Sequence, residues 1–226
     1  MEVCSRCFSD IELIGYIKSL ENFGVCSVCN RQKEKTIQLD ELQDFFQELV
    51  DNFEPDDLGI SFKNKIQGNW SLFANHNAAQ NILNYILPKL KTQIFNAEAK
   101  VNYISDIVDN ISYWETLKEE LKWEKRFLTD IVHLTEDLGI PALYLSDNSQ
   151  TVVYEVRASF LDELTIGVFQ LKAETSIKIV DFTEDTSIFQ PERINETIKG
   201  KLLREKISAD LSKPMRRYDT EIEYIP

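Results

Sequence analysis

The chain has 226 residues, 43% of them hydrophobic, with 38 acidic against 25 basic side chains and a formal net charge of -13. That is enough apolar material for one large core or two modest ones, which argues against disorder. The charge excludes a generally nucleic-acid-binding or anionic-membrane-binding surface. No opening stretch has the pattern of a secretory signal and no apolar run approaches the roughly 20 residues that span a bilayer, so a soluble, cytoplasmic protein is predicted.

All four cysteines stand near the amino terminus, in CSRCF and GVCSVCN, as Cys4, Cys7, Cys26 and Cys29. Two Cys-x-x-Cys pairs separated by eighteen residues bring four soft thiolates within reach of one tetrahedral cation, because each pair can fold round the metal in a tight turn. A structural Zn²⁺ site is predicted, closed to chemistry because four thiolates leave no open position. Disulfides, which a cytoplasmic compartment disfavours, unligated buried thiols and an iron-sulfur centre are the lower-ranked alternatives. Within the spacer, Ile11, Leu13, Ile14, Ile17 and Leu20 recur at helical spacing, Asp10 can cap the start, and Gly24 is expected to let the chain turn before Cys26.

RQKEKTIQL is polar and mixed in charge. LDELQDFFQELVDNF then places Leu39, Leu42, Phe45, Phe46, Leu49, Val50 and Phe53 on one broad stripe, predicting a helix that Pro55 and Gly59 end. SFKNKIQGNWSLF reads as an irregular segment with Phe62, Ile66, Trp70, Leu72 and Phe73 as buried anchors. AAQNILNYILPKL is again helical, with Pro88 ending it or kinking it near Leu87. From Val101 to Gly139 runs the longest periodic region, which Asn110 or Ser112 is expected to divide, the latter through a Ser-x-x-Glu box with Glu115 that starts a helix at Tyr113. Alternating charge at Lys118, Glu119, Glu120, Lys122, Glu124 and Lys125 marks a solvated helix face. His76 and His133 are isolated and read as surface or satisfied core residues.

After Gly139 the pattern changes. ALYLS reads as a short strand, TVVYEV as a strand or short helix, Leu164 to Leu171 and Ser176 to Phe182 as strands, and Ile198, Leu202, Leu203, Ile207 and Leu211 as one helix. The predicted class is α+β: a helical, zinc-bearing domain over residues 1–135, almost without strand, followed by an α+β domain over 136–226.

The segments GIPALYLSDNSQTVVYEVRAS and ISADLSKPMRRYDTEIEYIP resemble the RES family, and CSRCF with GVCSVC resembles the opening of the cysteine-paired HEPN/RES amino-terminal domain found in one of its subgroups. KWEKRFL is similar to that domain's closing helix. The resemblance implies an ADP-ribosyltransferase-like RES domain with a small mixed sheet, and an activity that consumes NAD by cleaving the bond between nicotinamide and ribose, as a glycohydrolase, phosphorylase or ADP-ribosyltransferase. It further implies a toxin restrained by a helix-turn-helix antitoxin, with homo-oligomerisation left open. Carried over by position, Tyr144 and Ser146 match a small-x-Tyr-Leu segment, and Thr151 and Glu155 match a Thr-Ala-x-x-Glu pattern in which Val152 replaces the alanine, with Arg157 following. Glu155 would stabilise the ribosyl cation, Tyr144 would pack on the nicotinamide or ribose, and Arg157, Ser146 and Thr151 would contribute to binding NAD.

The chain departs from the family in two places. Only Ile131 to Leu138 stand where the family has a strand with an Arg-x-Arg pair and a Gly-Arg loop, and the sequence ends at Pro226 where the subgroup continues. Ser212 and Pro214 match a Ser-x-Pro step near that end. HEPN ribonucleases carry an Arg and a His four residues apart; Arg126 and His133 have six residues between them, so nuclease activity is not expected. The alternative to an enzyme is an inactive RES-like binding or regulatory protein acting through its helical domain.

Overall fold

The structure is a computed structural model in which residues 1–119, 148, 150–151, 165–170, 172–174, 176, 186–190 and 193–211 are described. The chain divides into two compact units, Met1–Lys118 together with Phe182–Tyr224, and Glu119–Asp181. The expected boundary near residue 135 lies outside the described residues.

The first unit is itself mixed α+β. Strand β1 (Glu2–Cys4) leads through a 3-10 turn (Ser5–Cys7) into helix α1 (Ile11–Ser19), and strands β2 (Phe23–Val25) and β3 (Gln32–Gln38) follow. These strands form an antiparallel sheet in the order β1-β3-β2, with Val3 opposite Ile37 and Phe23 opposite Lys35. Between Gly24 and Val25 the register shifts. Lys33, at φ 58, is the extra residue on the facing strand, in the left-handed conformation that such bulges use. Sequence reading finds no strand here because β3 is polar and buries only Thr36 and Ile37; pairing on both edges makes it a strand, not apolar alternation.

Helix α1 forms as its periodicity predicts. The Asp10 carboxylate accepts from Leu13 N at 2.9 Å, and Leu13 and Ile17 are fully buried, whereas Ile11 is exposed. Gly24 differs from expectation. It lies within β2 without a left-handed φ, and an added Cβ would fall on the Glu2 carboxylate, so its value is close approach.

A 3-10 turn (Leu39–Leu42) leads into α2 (Gln43–Val50), and the whole predicted stripe is buried, from Leu39 to Phe53. Pro55 and Gly59 do not simply end this helix. They lie in strand β4 (Phe53–Ser61), which pairs with β5 (Lys100–Tyr103) and loops out between Pro55 and Ile60, both of which face Val101. At Gly59 an added Cβ would lie 2.2 Å from the Val101 carbonyl oxygen. Gly59→Ala is therefore expected to cost about 1–3 kcal/mol, because backbone and not a flexible side chain must give way; urea unfolding measures it, and an unchanged midpoint would remove this contact as a constraint.

The segment read as irregular is helix α3 (Phe62–Trp70), with Phe62, Ile66 and Trp70 buried one turn apart. Ser71 ends it at φ 47, and Gln67 bonds both the N–H and the carbonyl of Phe73. Helix α4 (His76–Ile86) is capped by Asn75 and passes into a 3-10 turn (Leu87–Lys89) at Pro88, as predicted; His76 is exposed. Helix α5 (Ser105–Glu119) runs unbroken through Asn110 and Ser112, correcting the expected division. Ser112 Oγ donates to the Asp109 carbonyl instead of capping a new helix, a bond that a mid-helix serine makes without ending the helix.

Helix α6 (Ile194–Leu211) buries Ile194 and Ile198. It lies beside α5 and runs in the same direction, because Lys199 meets Asp106 at 2.5 Å, Lys206 meets Glu115 at 2.7 Å, and Lys118 meets Asp210. Trp114 Nε1 also donates to the Asp210 carboxylate at 2.7 Å. Burial works against the Lys118 ammonium, but hydrogen bonds to Asp210 and Glu115 outweigh it and hold its pKa above the usual lysine range.

The predicted strand over Leu164 to Leu171 is not found at Thr165–Gln170, which are exposed and outside any strand; β-branched composition alone does not hold a strand without neighbours to pack on. The expected ALYLS strand and the sheet of the RES-like domain otherwise lie outside the described residues.

Candidate metal centre

Sheet topology brings the two cysteine pairs together. Strands β1 and β2 both run antiparallel to β3, and the segment after β2 bonds back to β1, Ser27 N donating to the Glu2 carbonyl at 2.8 Å. Cys4 is the last residue of β1 and Cys7 closes the turn that follows, while Cys26 comes directly after β2. The second turn is set by backbone bonds from Asn30 N to the Cys26 carbonyl at 2.9 Å and from Cys26 N to the Arg31 carbonyl at 2.9 Å, with Asn30 at φ 58. The first turn is held from outside. Ala74 N donates to the Cys7 carbonyl at 3.0 Å, Ser9 N donates to the Leu72 carbonyl at 2.9 Å, and the Phe8 and Phe73 rings lie 5.9 Å apart.

The four sulfurs lie within 4.8 Å of one another. Sγ separations are 3.9 Å for Cys4 and Cys7, 3.5 Å for Cys4 and Cys29, and 3.6 Å for Cys7 and Cys26. A tetrahedral site with metal–sulfur bonds of about 2.3 Å has edges of about 3.8 Å, so the cluster already has the dimensions of a tetrathiolate cage. All four thiols are free. Cys4, Cys7 and Cys26 are buried and Cys29 is exposed.

By themselves the four clustered thiols resist full ionisation. Burial, with the Cys29 hydrogen bond adding to it, pushes the Cys4 thiol up to about 12. Burial and the neighbouring Cys26 raise Cys7 far above the thiol range. Burial works against the Cys26 thiolate too, but the backbone N–H groups of Cys29, Cys4 and Val28 point at its sulfur and bring it down to about 7. Cys4 N reaches that sulfur at 3.4 Å. A divalent cation supplies the charge that lets the other thiols ionise. Cys4 and Cys7, raised well above the usual thiol range, still carry protons near neutral pH, so loading zinc is expected to release at least two protons. Apparent affinity therefore rises with pH. Titration calorimetry in buffers of different ionisation enthalpy measures the release, and a pH-independent affinity would rule out thiolate ligation.

One further feature was not legible as a motif. The buried Asp10 carboxylate, besides capping α1, accepts from Ser187 Oγ at 2.8 and 2.7 Å and from Ile188 N at 3.2 Å. Asp10 stands three residues after Cys7, so the first cysteine turn and the returning segment meet at one side chain. A sequence signal existed only for the cap, because the other partners lie more than 170 residues away.

Tyr144, Ser146, Glu155 and Arg157 lie outside the described residues, as do Ser212, Pro214, Arg126 and His133. Thr151 is exposed, on helical backbone. A depression of about 430 Å³ on the β1-β3-β2 sheet is lined by Glu2, Glu21, Asn22, Phe23, Thr36 and Gln38. With two carboxylates and no cation among those six, it is unsuited to a diphosphate. Among the described residues no helix is long and apolar enough to cross a membrane. Comparison of the chain with protein families, with curated proteins and with solved structures found no match.

Proposed function

We propose that the chain is a zinc-stapled scaffold that carries an NAD-cleaving domain of the RES type. The observation that supports the scaffold is the cluster of four free thiols within 4.8 Å of one another. Zinc there is structural, because Cys4, Cys7, Cys26 and Cys29 fill all four positions. The NAD-cleaving part is supported by the resemblance of residues 139–159 and 207–226 to RES proteins, and so are a toxin role and a helix-turn-helix antitoxin as partner.

Nicotinamide leaves NAD as a neutral base, so the reaction needs little acid help. The need is for negative charge beside the ribosyl cation that develops as the bond from C1′ to nitrogen breaks. Glu155 supplies that charge, Tyr144 covers the ring, and Arg157 pairs with the diphosphate, its planar fork matching two oxygens. Ser146 and Thr151 complete the binding set. With water as acceptor, the products are nicotinamide, ADP-ribose and a proton.

Incubating the purified chain with NAD and resolving the products by mass tests this reading. Glu155→Gln is expected to abolish cleavage while zinc content and circular dichroism stay unchanged. Equal turnover by the variant would remove Glu155 from the reaction, and a zinc-loaded wild-type chain that leaves NAD intact would favour a RES-like binding protein.

A further inference from the structure

We propose that Cys29 is an oxidation site through which the metal centre opens, with a Cys4–Cys29 disulfide as the product. This rests on the zinc reading above. Cys29 is exposed while its three partners are 0–2% exposed, and a small hydrophilic oxidant reaches an exposed thiolate before buried ones. Its neighbours leave it open to solvent, although backbone bonds of Asn30 and Arg31 to Cys26 hold the turn. Asn30 and Arg31 are exposed, and Val28 only packs partly against the core. Cys4, by contrast, is fixed within the register of β1 and β3, and its sulfur lies 3.5 Å from that of Cys29. An oxidised Cys29 therefore has a partner in place.

With hydrogen peroxide as oxidant, the Cys29 thiolate attacks one peroxide oxygen, the O–O bond breaks, and hydroxide leaves, giving a sulfenic acid. The Cys4 thiolate then attacks that sulfur, the S–O bond breaks, and a second hydroxide leaves. Two thiolates have lost two electrons in all, and one peroxide has become two hydroxides. Cys7 and Cys26, 3.6 Å apart, are then the only thiolates left to the ion. Two ligands do not hold zinc as four do, so the ion departs. A thiol reductant supplied with zinc restores the centre.

The test begins with the zinc content of the purified chain by elemental analysis. Hydrogen peroxide is then added with a chromogenic zinc chelator, and peptide mass mapping follows the cysteines. Expected are release of the bound zinc, a Cys4–Cys29 linked peptide as the first product, and recovery on adding thiol and zinc. Cys29→His, which keeps a ligand but not the sulfur, is expected to retain zinc at a peroxide dose that empties the wild type. Mapping the wild type alone decides the matter should that variant fold poorly. A first product linking Cys7 to Cys26, or zinc that stays bound under peroxide, would overturn the proposal while leaving the zinc reading intact. A chain that neither holds nor takes up zinc would overturn both.

Discussion

Stripping zinc with a chelator is expected to unfold the first 38 residues while the α2–α4 core survives. Structural zinc contributes on the order of 10–16 kcal/mol of apparent binding free energy in small cysteine-rich modules, as much as the about 5–15 kcal/mol that stabilises a whole domain. The β1-β3-β2 sheet has little else. Strands β1 and β2 have three residues each, and the buried apolar side chains of this stretch besides the cysteines are Val3, Phe8, Leu13, Ile17 and Ile37. Helices α2, α3 and α4 pack Phe46, Leu49, Phe62, Ile66, Ile82 and Leu83 into a shared core without help from the metal. Hydrogen exchange should therefore accelerate at Val3, Thr36 and Ile37 after chelation and remain slow in α4. Unchanged protection at those three amides, with zinc removal verified, would show that the sheet stands without an ion.

Asp10→Ala is expected to cost about 3–5 kcal/mol. Replacing a capping aspartate costs about 1 kcal/mol, and each buried donor left without an acceptor adds about 1–3 kcal/mol. Beyond the cap bond from Leu13 N, the deserted donors are Ile188 N, which is buried, and Ser187 Oγ, which is half-buried and at the low end of that range. The loss extends beyond the helix end, because Ile188 is buried and Phe189 packs on Phe45 and Tyr16 at ring separations of 5.0 and 5.6 Å. Freed from Asp10, residues 186–190 should also become open to proteolysis. Asp10→Asn retains one acceptor oxygen and should recover part of the loss. A change in the urea midpoint worth less than about 1 kcal/mol would reduce Asp10 to an ordinary cap.

The two effects converge because α1 joins them. Its start lies four residues past Cys7, its cap holds Ser187 and Ile188, and Ile194 N is held in turn by the Glu48 carboxylate of α2 at 3.0 Å. Asn195 adds a bond to Asn52 at 2.8 Å. Cysteine cluster, helix cap and returning segment thus lie on one continuous path of contacts within the first unit.

Sequence by itself determined the elements whose cause is local. Leu39 to Phe53, the α4 run with its stop at Pro88, α1 with its Asp10 cap and the apolar positions of α6 could be read because a helix repeats its buried face every three to four residues and marks its own ends. The four cysteines were legible for a similar reason, since two pairs of thiols at short spacing suit one soft tetrahedral cation. Strands β3 and β4 were not legible. QKEKTIQ has no apolar alternation, and FEPDDLGIS holds a proline and a looped-out segment, so both depend on partners distant in sequence. Helix α3 was missed because Phe62, Ile66 and Trp70 share only a narrow stripe among polar residues. The tertiary structure alone decided that the turns after β1 and β2 meet, bringing four sulfurs within 4.8 Å of one another, and that Asp10 reaches across to Ser187. Contacts of that range leave no periodic trace in either segment, because neither side of the pair has to repeat for the contact to form.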